Sequence, residues 1–135
     1  WAYVPDYSGQ DRTKVWEAIR RGRTSVSGAK DLAFFTVDGQ PQGSVLKKRS
    51  AESLEFRFRY LPVTGRRCTQ LTLLDKNLRP VFEVARPPGS ELRWTMPPSN
   101  RDPEEAFYVA AFTFKEGRSN VSEVWTNPVF VSSIT

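Results

Sequence analysis

Histidine is absent from this 135-residue chain, and cysteine occurs once, at Cys68. The first absence removes His-based triads, imidazole general bases and His zinc ligands together. The second removes intrachain disulfides and Cys-only metal sites. Cys68 heads a β-type run with no histidine to activate it, so burial as a small hydrophobe is the preferred reading. Long apolar runs are missing too, and nothing approaches the length needed to span a bilayer. No basic and then apolar leader opens the chain, which begins WAYVPDYSGQ. A chain starting at Trp1 reads as processed or as part of a longer protein, and its compartment stays unassigned. No Walker loop and no GxGxxG is present, so nucleotide binding has no support.

What is there suits one globular domain: 39% apolar and 13% aromatic residues in a length that buries a core without metal or disulfides. The net charge of +5 is uneven. Residues 1–67 carry 13 Lys/Arg against 7 Asp/Glu, and residues 68–135 carry 7 against 8.

One helix is expected near residues 11–21, capped by Ser8 or Asp11 and ended by Gly22. Val15, Trp16 and Ile19 share its apolar face. From Thr24 the period becomes two. Strands are expected at Leu32–Val37, Ser53–Leu61, Cys68–Leu74, Pro80–Val84, Ser90–Met96, Phe107–Phe114 and Glu123–Val131. In Ser53–Leu61, Leu54, Phe56, Phe58 and Tyr60 fall on one face, with Glu55, Arg57 and Arg59 on the other. Asp38-Gly39 is a tight turn, and the acidic, Pro-rich stretch Pro97–Glu105 an exposed loop. Together these predict a mainly β fold: an antiparallel immunoglobulin-like β-sandwich of about seven strands preceded by one short helix.

Candidate chemistry is sparse. A carboxylate calcium site at Asp102, Glu104 and Glu105 matches no EF-hand spacing, and a solvated acidic loop is preferred. The Ser-x-x-Lys tetrads Ser27–Lys30 and Ser44–Lys47 lie in turn or strand context, where residues three apart point to opposite faces. Asn120-Val121-Ser122 fits the N-glycosylation tripeptide, a short pattern common by chance. Lys47, Lys48, Arg49, Arg57 and Arg59 form a candidate basic patch, read as a solvated or docking surface because the neighbouring aromatics point away from it. Trp94 and Trp125 form a candidate sugar platform, with core burial preferred. No catalytic, cofactor-binding or metal-ligating residue is assigned, nor any nucleic-acid or membrane partner. The chain by itself is read as not an enzyme.

Two segments resemble the tail of PHP-domain metal-dependent hydrolases, the phosphoesterase-like group that includes carbaryl-hydrolase-type enzymes. In residues 13–46, Ala18-Ile19 and Gly22-Arg23-Thr24 are similar to the end of the family's last barrel helix. Asp38-Gly39 and Gly43-Ser44 are similar to the turn and Gly-(Ser/Thr) that follow. Thr126-Asn127-Pro128-Val129-Phe130-Val131 resembles the family's Asn-Pro-(Ile/Val)-(Tyr/Phe)-Val ending. Ser25 stands where the family often has an aromatic residue, and Gly28-Ala29 where it has Gly-Pro. The resemblance implies that residues 1–23 are a remnant of an upstream barrel and 24–135 an accessory β-sandwich, with the barrel's His and Asp metal ligands upstream. It implies the catalytic domain of the parent chain as partner. Without that barrel, the Val15, Trp16, Ile19 stripe is expected to fold back on the sandwich or to pair with a second copy. An independent carbohydrate-binding or adhesion-type module is the alternative.

Overall fold

The computed structural model describes residues 12–22, 24–27, 31–118 and 120–134. The expected Ser8 or Asp11 cap, Arg23 and the Lys30 end of the first Ser-x-x-Lys tetrad lie outside this set, as do the side chains of Val15 and Asn120. Helix α1 runs Arg12–Arg20, within a residue of expectation. The described remainder is mainly β: β1 (Ser25–Ser27), β2 (Leu32–Val37), β3 (Gln40–Pro41), β4 (Val45–Arg49), β5 (Leu54–Leu61), β6 (Arg67–Leu74), β7 (Pro80–Ala85), β8 (Glu91–Met96), β9 (Glu105–Glu116), β10 (Asn120–Thr126) and β11 (Val129–Ile134). Among the described residues no helix is long and apolar enough to cross a membrane.

Alternation explains which residues meet. In β5, Leu54, Phe56 and Phe58 are fully buried and Tyr60 nearly so, while Glu55 and Arg59 face water. In β9, Tyr108, Ala110, Phe112 and Phe114 point inward. Two sheets carry these faces. The smaller has the order β3-β2-β5-β8; the larger runs β1-β10-β9-β11-β4, with β6 joining β9 and β7 joining β6. Rings from both interlock: Phe56 meets Tyr108 edge-on at 5.2 Å, Phe58 meets Phe112 at 6.4 Å, and Trp94 stacks on Phe82 at 4.5 Å. Such pairs add to the burial of the rings themselves, which is the main stabilising term.

Three expectations are corrected. First, eleven strand segments are seen among the described residues. The segment expected at Glu123–Val131 is two strands, because register on β9 shifts by one between Trp125↔Ala111 and Val129↔Tyr108. Pro128 has no N–H to offer a ladder, and Thr126 Oγ1 accepts the Ala110 N–H there at 3.0 Å. Second, the pairing is not wholly antiparallel. Having left β3 in the smaller sheet, the chain crosses to the larger one, and β4 runs parallel to β11 with Val45 opposite Phe130. Third, Pro97–Glu105 is not simply an exposed loop. It contains a short 3-10 turn at Pro98–Asn100, and Arg101 is buried. The Arg101 guanidinium donates to the carbonyls of Arg49 and Glu52 and to Ser133 Oγ, tying this loop to β4 and β11.

Candidate functional site

Several of the residues that carried the family resemblance, among them Gly22, Thr24, Gly43, Ser44, Asn127 and Pro128, meet where the end of α1 reaches the sheets. Gly22 closes the helix in the left-handed region, at φ 72°, donating its N–H to the Ile19 carbonyl at 3.0 Å. Gly43 lies directly against it, at φ 87°; a Cβ built there would stand 2.0 Å from the Arg21 carbonyl oxygen and 2.6 Å from the Gly22 carbonyl carbon. Both conformation and space therefore demand glycine at position 43. The Gly43 N–H donates to the Pro128 carbonyl at 2.7 Å, and the Phe130 N–H to the Ser44 carbonyl at 2.9 Å. Thr24 joins the third segment: its carbonyl accepts the Asn127 N–H at 3.0 Å, and its hydroxyl oxygen accepts from Asn127 Nδ2.

Gln42 sits at the centre. It is 1% exposed, its Nε2 donates to the Thr24 carbonyl at 2.9 Å, and its Oε1 accepts the Phe35 N–H at 3.2 Å. An amide buried with both ends bonded fixes geometry, because leaving either end unpaired would be costly. Nothing in the sequence pattern marks Gln42, since its role depends on partners 7 and 18 positions away. The Asp38-Gly39 turn lies further along the same connection, with both residues at positive φ, as a type I′ turn requires. The Asp38 carboxylate accepts the Glu55 N–H and pairs with Lys48 Nζ.

Beyond this junction two apolar residues of the helix face outward. Trp16 is 65% exposed and Ile19 48%, so these two members of the expected stripe do not fold back on the sheets. Around them stand Thr13, Glu17, Arg20 and Arg21. Among the described residues the junction is built chiefly of backbone amides and carbonyls, the Gln42 and Asn127 side-chain amides and the Thr24 hydroxyl. It touches the helix at its C-terminal end, where Arg21 and Gly22 lie against Gly43.

The other candidates are placed as follows. Cys68 is buried, and burial pushes its thiol up to about 11, against a smaller lowering effect from a backbone hydrogen bond at Gln70. Asp102 is held below the usual carboxylate range by Lys76 and by the Glu104 N–H. Ser44 precedes β4, while Lys47 is exposed within it. The expected basic patch is divided: Lys47–Arg49 lie on β4 of the larger sheet, and Arg57 and Arg59 on β5 of the smaller one. Arg57 forms a two-pronged pair with Glu91, at 2.6 and 3.1 Å, and Arg59 lies over the Phe34 ring. Trp94 and Trp125 are not neighbours. Trp94 packs on the core, whereas Trp125 is 42% exposed on the larger sheet, with its Nε1 donating to Glu123.

A buried carboxylate that the sequence reading did not single out clasps the two sheets. Asp31, at the head of β2, is fully buried and accepts from the Val63 N–H, Arg66 Nη1 and Ser122 Oγ of β10. Burial alone would raise its pKa, but these donors together lower it. Comparison with protein-family models and with curated proteins gives no match for this chain.

Proposed function

We propose that this chain is an immunoglobulin-like β-sandwich that serves as the non-catalytic C-terminal accessory domain of a PHP-type metal-dependent hydrolase. The observation that carries this reading is the convergence at one junction of Gly22 and Thr24, Gly43-Ser44 and Asn127-Pro128. These positions come from the two separate segments that resemble the same family, and they meet at one place here. They seat the C-terminal end of the helix against the sheets while its apolar Trp16 and Ile19 remain available to a neighbour. In the parent chain that neighbour is the barrel, and the domain braces it. The immunoglobulin-like assignment draws on the strand order, with β2-β5-β8 facing β4-β11-β9-β6-β7 and β4 parallel to β11.

The test is to extend the reading frame upstream of Trp1 and assay both lengths. His- and Asp-rich barrel motifs upstream, with manganese- or zinc-dependent phosphoesterase activity in the long chain only, are the expected result. Hydrolysis by residues 1–135 alone, or an upstream frame without such motifs, sinks the reading.

One observation favours the carbohydrate-binding alternative. Trp125 and Phe130 are both exposed on the larger sheet, and Phe107 packs beside Phe130 at 6.0 Å. Aromatic faces of this kind stack on sugars. Glycan-array binding by residues 1–135 that disappears in Trp125→Ala would favour it over the accessory-domain reading.

A further inference from the structure

Arg67, Arg86, Lys115 and Arg118 are scattered in the sequence, yet they rim one hollow on the outer side of the larger sheet. Register explains how. Arg67 of β6 stands directly opposite Lys115 of β9, and Gln70 lies between Ala85 of β7 and Thr113 of β9. Arg86 follows β7 and Arg118 follows β9 in its turn. Like charges placed directly across a sheet repel each other, so an Arg67–Lys115 pair is unfavourable until something negative lies between them.

No carboxylate supplies that charge among the residues lining the hollow. Glu116 instead approaches Arg66, at 3.8 Å. Glu123, opposite Thr113, takes the Trp125 indole N–H. The contrast with the preceding arginine is direct: Arg66 is bound to the buried Asp31, while Arg67 faces solvent.

Backbone geometry adds an independent observation. Arg86 is in the left-handed region, at φ 52°, held there by a 2.9 Å bond from its N–H to the Thr69 carbonyl. A residue with a Cβ seldom adopts this conformation, and such outliers concentrate at ligand sites. Here it sets an arginine on the rim of the hollow.

We propose that this hollow is a binding site for a compact anion carrying two or more phosphate or sulfate groups. The hollow is open to solvent and about 430 Å³ in volume, which leaves room for such an anion. Three guanidiniums offer forked donors to such oxyanions, Lys115 adds a point charge, and Gln70 and Thr113 lie on the sheet surface beneath. The inference stands apart from the accessory-domain reading, because it needs no upstream barrel.

Calorimetric titration of residues 1–135 with inorganic tripolyphosphate tests it, at about 20 mM and about 200 mM salt. One-to-one saturable binding is expected, weaker at the higher salt. Arg67→Glu and Arg86→Glu should each weaken it by at least about tenfold, as loss of a charge-assisted contact does. Lys47→Glu makes the same change in net charge on β4, away from the hollow, and should alter binding less than about twofold. Circular dichroism checks that each variant is folded, and Arg67→Gln and Arg86→Gln replace any that is not. A parallel titration with a trisulfated disaccharide identifies the source, a phosphorylated small molecule or a sulfated glycan, by which probe binds tighter. Absence of saturable binding to both probes, or equal weakening by Lys47→Glu, overturns the proposal.

Discussion

Strand β5 and helix α1 are written in the same grammar and end differently. Each sets apolar residues at the period of its own secondary structure. In β5 the result is a face sealed against the opposite sheet, with Phe56 and Phe58 at 0% exposure. In α1 the equivalent residues, Trp16 and Ile19, stand in solvent. Periodicity reports which face of an element is apolar. It does not report whether the cover belongs to the same chain.

The largest test of this contrast is truncation in β5. Phe58→Ala should cost about 3–5 kcal/mol, whereas Arg59→Ala on the exposed face should change stability by under about 0.5 kcal/mol. Urea midpoints measure both; equal effects would mean that the register of β5 is wrong. Next comes the junction between the two regions. Gly43→Ala forces a Cβ onto the helix backbone at a positive φ and should cost roughly 2–4 kcal/mol, partly by displacing α1. Chemical shifts of Gly22 and Thr24 should move with it, and unmoved shifts at full stability would separate the helix from the sheets.

The Asp31 clasp gives a smaller effect that depends on pH. Its folded pKa lies below the ordinary aspartate value, so its contribution is fully present above the unfolded pKa and is lost as pH falls through the folded one. Denaturation midpoints measured between about pH 6 and pH 2 should fall less steeply with acid in Asp31→Asn than in the parent sequence. Identical slopes would exclude Asp31 from the acid response. Smallest of all is the double change Trp16→Ala with Ile19→Ala. In residues 1–135 it should alter stability by under about 0.5 kcal/mol, because both side chains are largely solvated already. In the longer, barrel-containing chain proposed above it should be clearly destabilising. A large loss in the short chain would instead place these residues in the core of the β domain.

Much of the fold was legible because strict alternation leaves few choices. β5 and β9 each bury one face, and their alternation is readable in the sequence, whereas LAFFTV of β2 is apolar on both faces and reads as a strand without showing which face is buried. β4 was missed for the opposite reason: VLKKR is exposed or half-exposed throughout, so its membership of the sheet rests on backbone pairing with β11. Ser25–Ser27 is too short to show a period. Gln42 and Arg101 are polar residues buried by their hydrogen bonds, which composition cannot foretell. The junction was half legible. Its glycines and Asn127-Pro128 stood out as motifs, but only folding shows that they touch. The basic hollow was invisible, since its four cations come from different strands and turns, and the patch expected at Lys47–Arg59 is split between two sheets.

The parallel seam between β4 and β11 has a kinetic consequence. Val45 and Phe130 are partners across 85 positions of chain, and β1 likewise waits for β10, with Ser25 opposite Thr126. During synthesis both early strands must remain unpaired until the β9–β10–β11 segment has left the ribosome. Closing loops of that length before any contact rewards them makes for slow folding. For that interval β4 presents an open edge to other nascent chains, and its Lys47, Lys48 and Arg49 are the kind of residues that keep such an edge from aggregating.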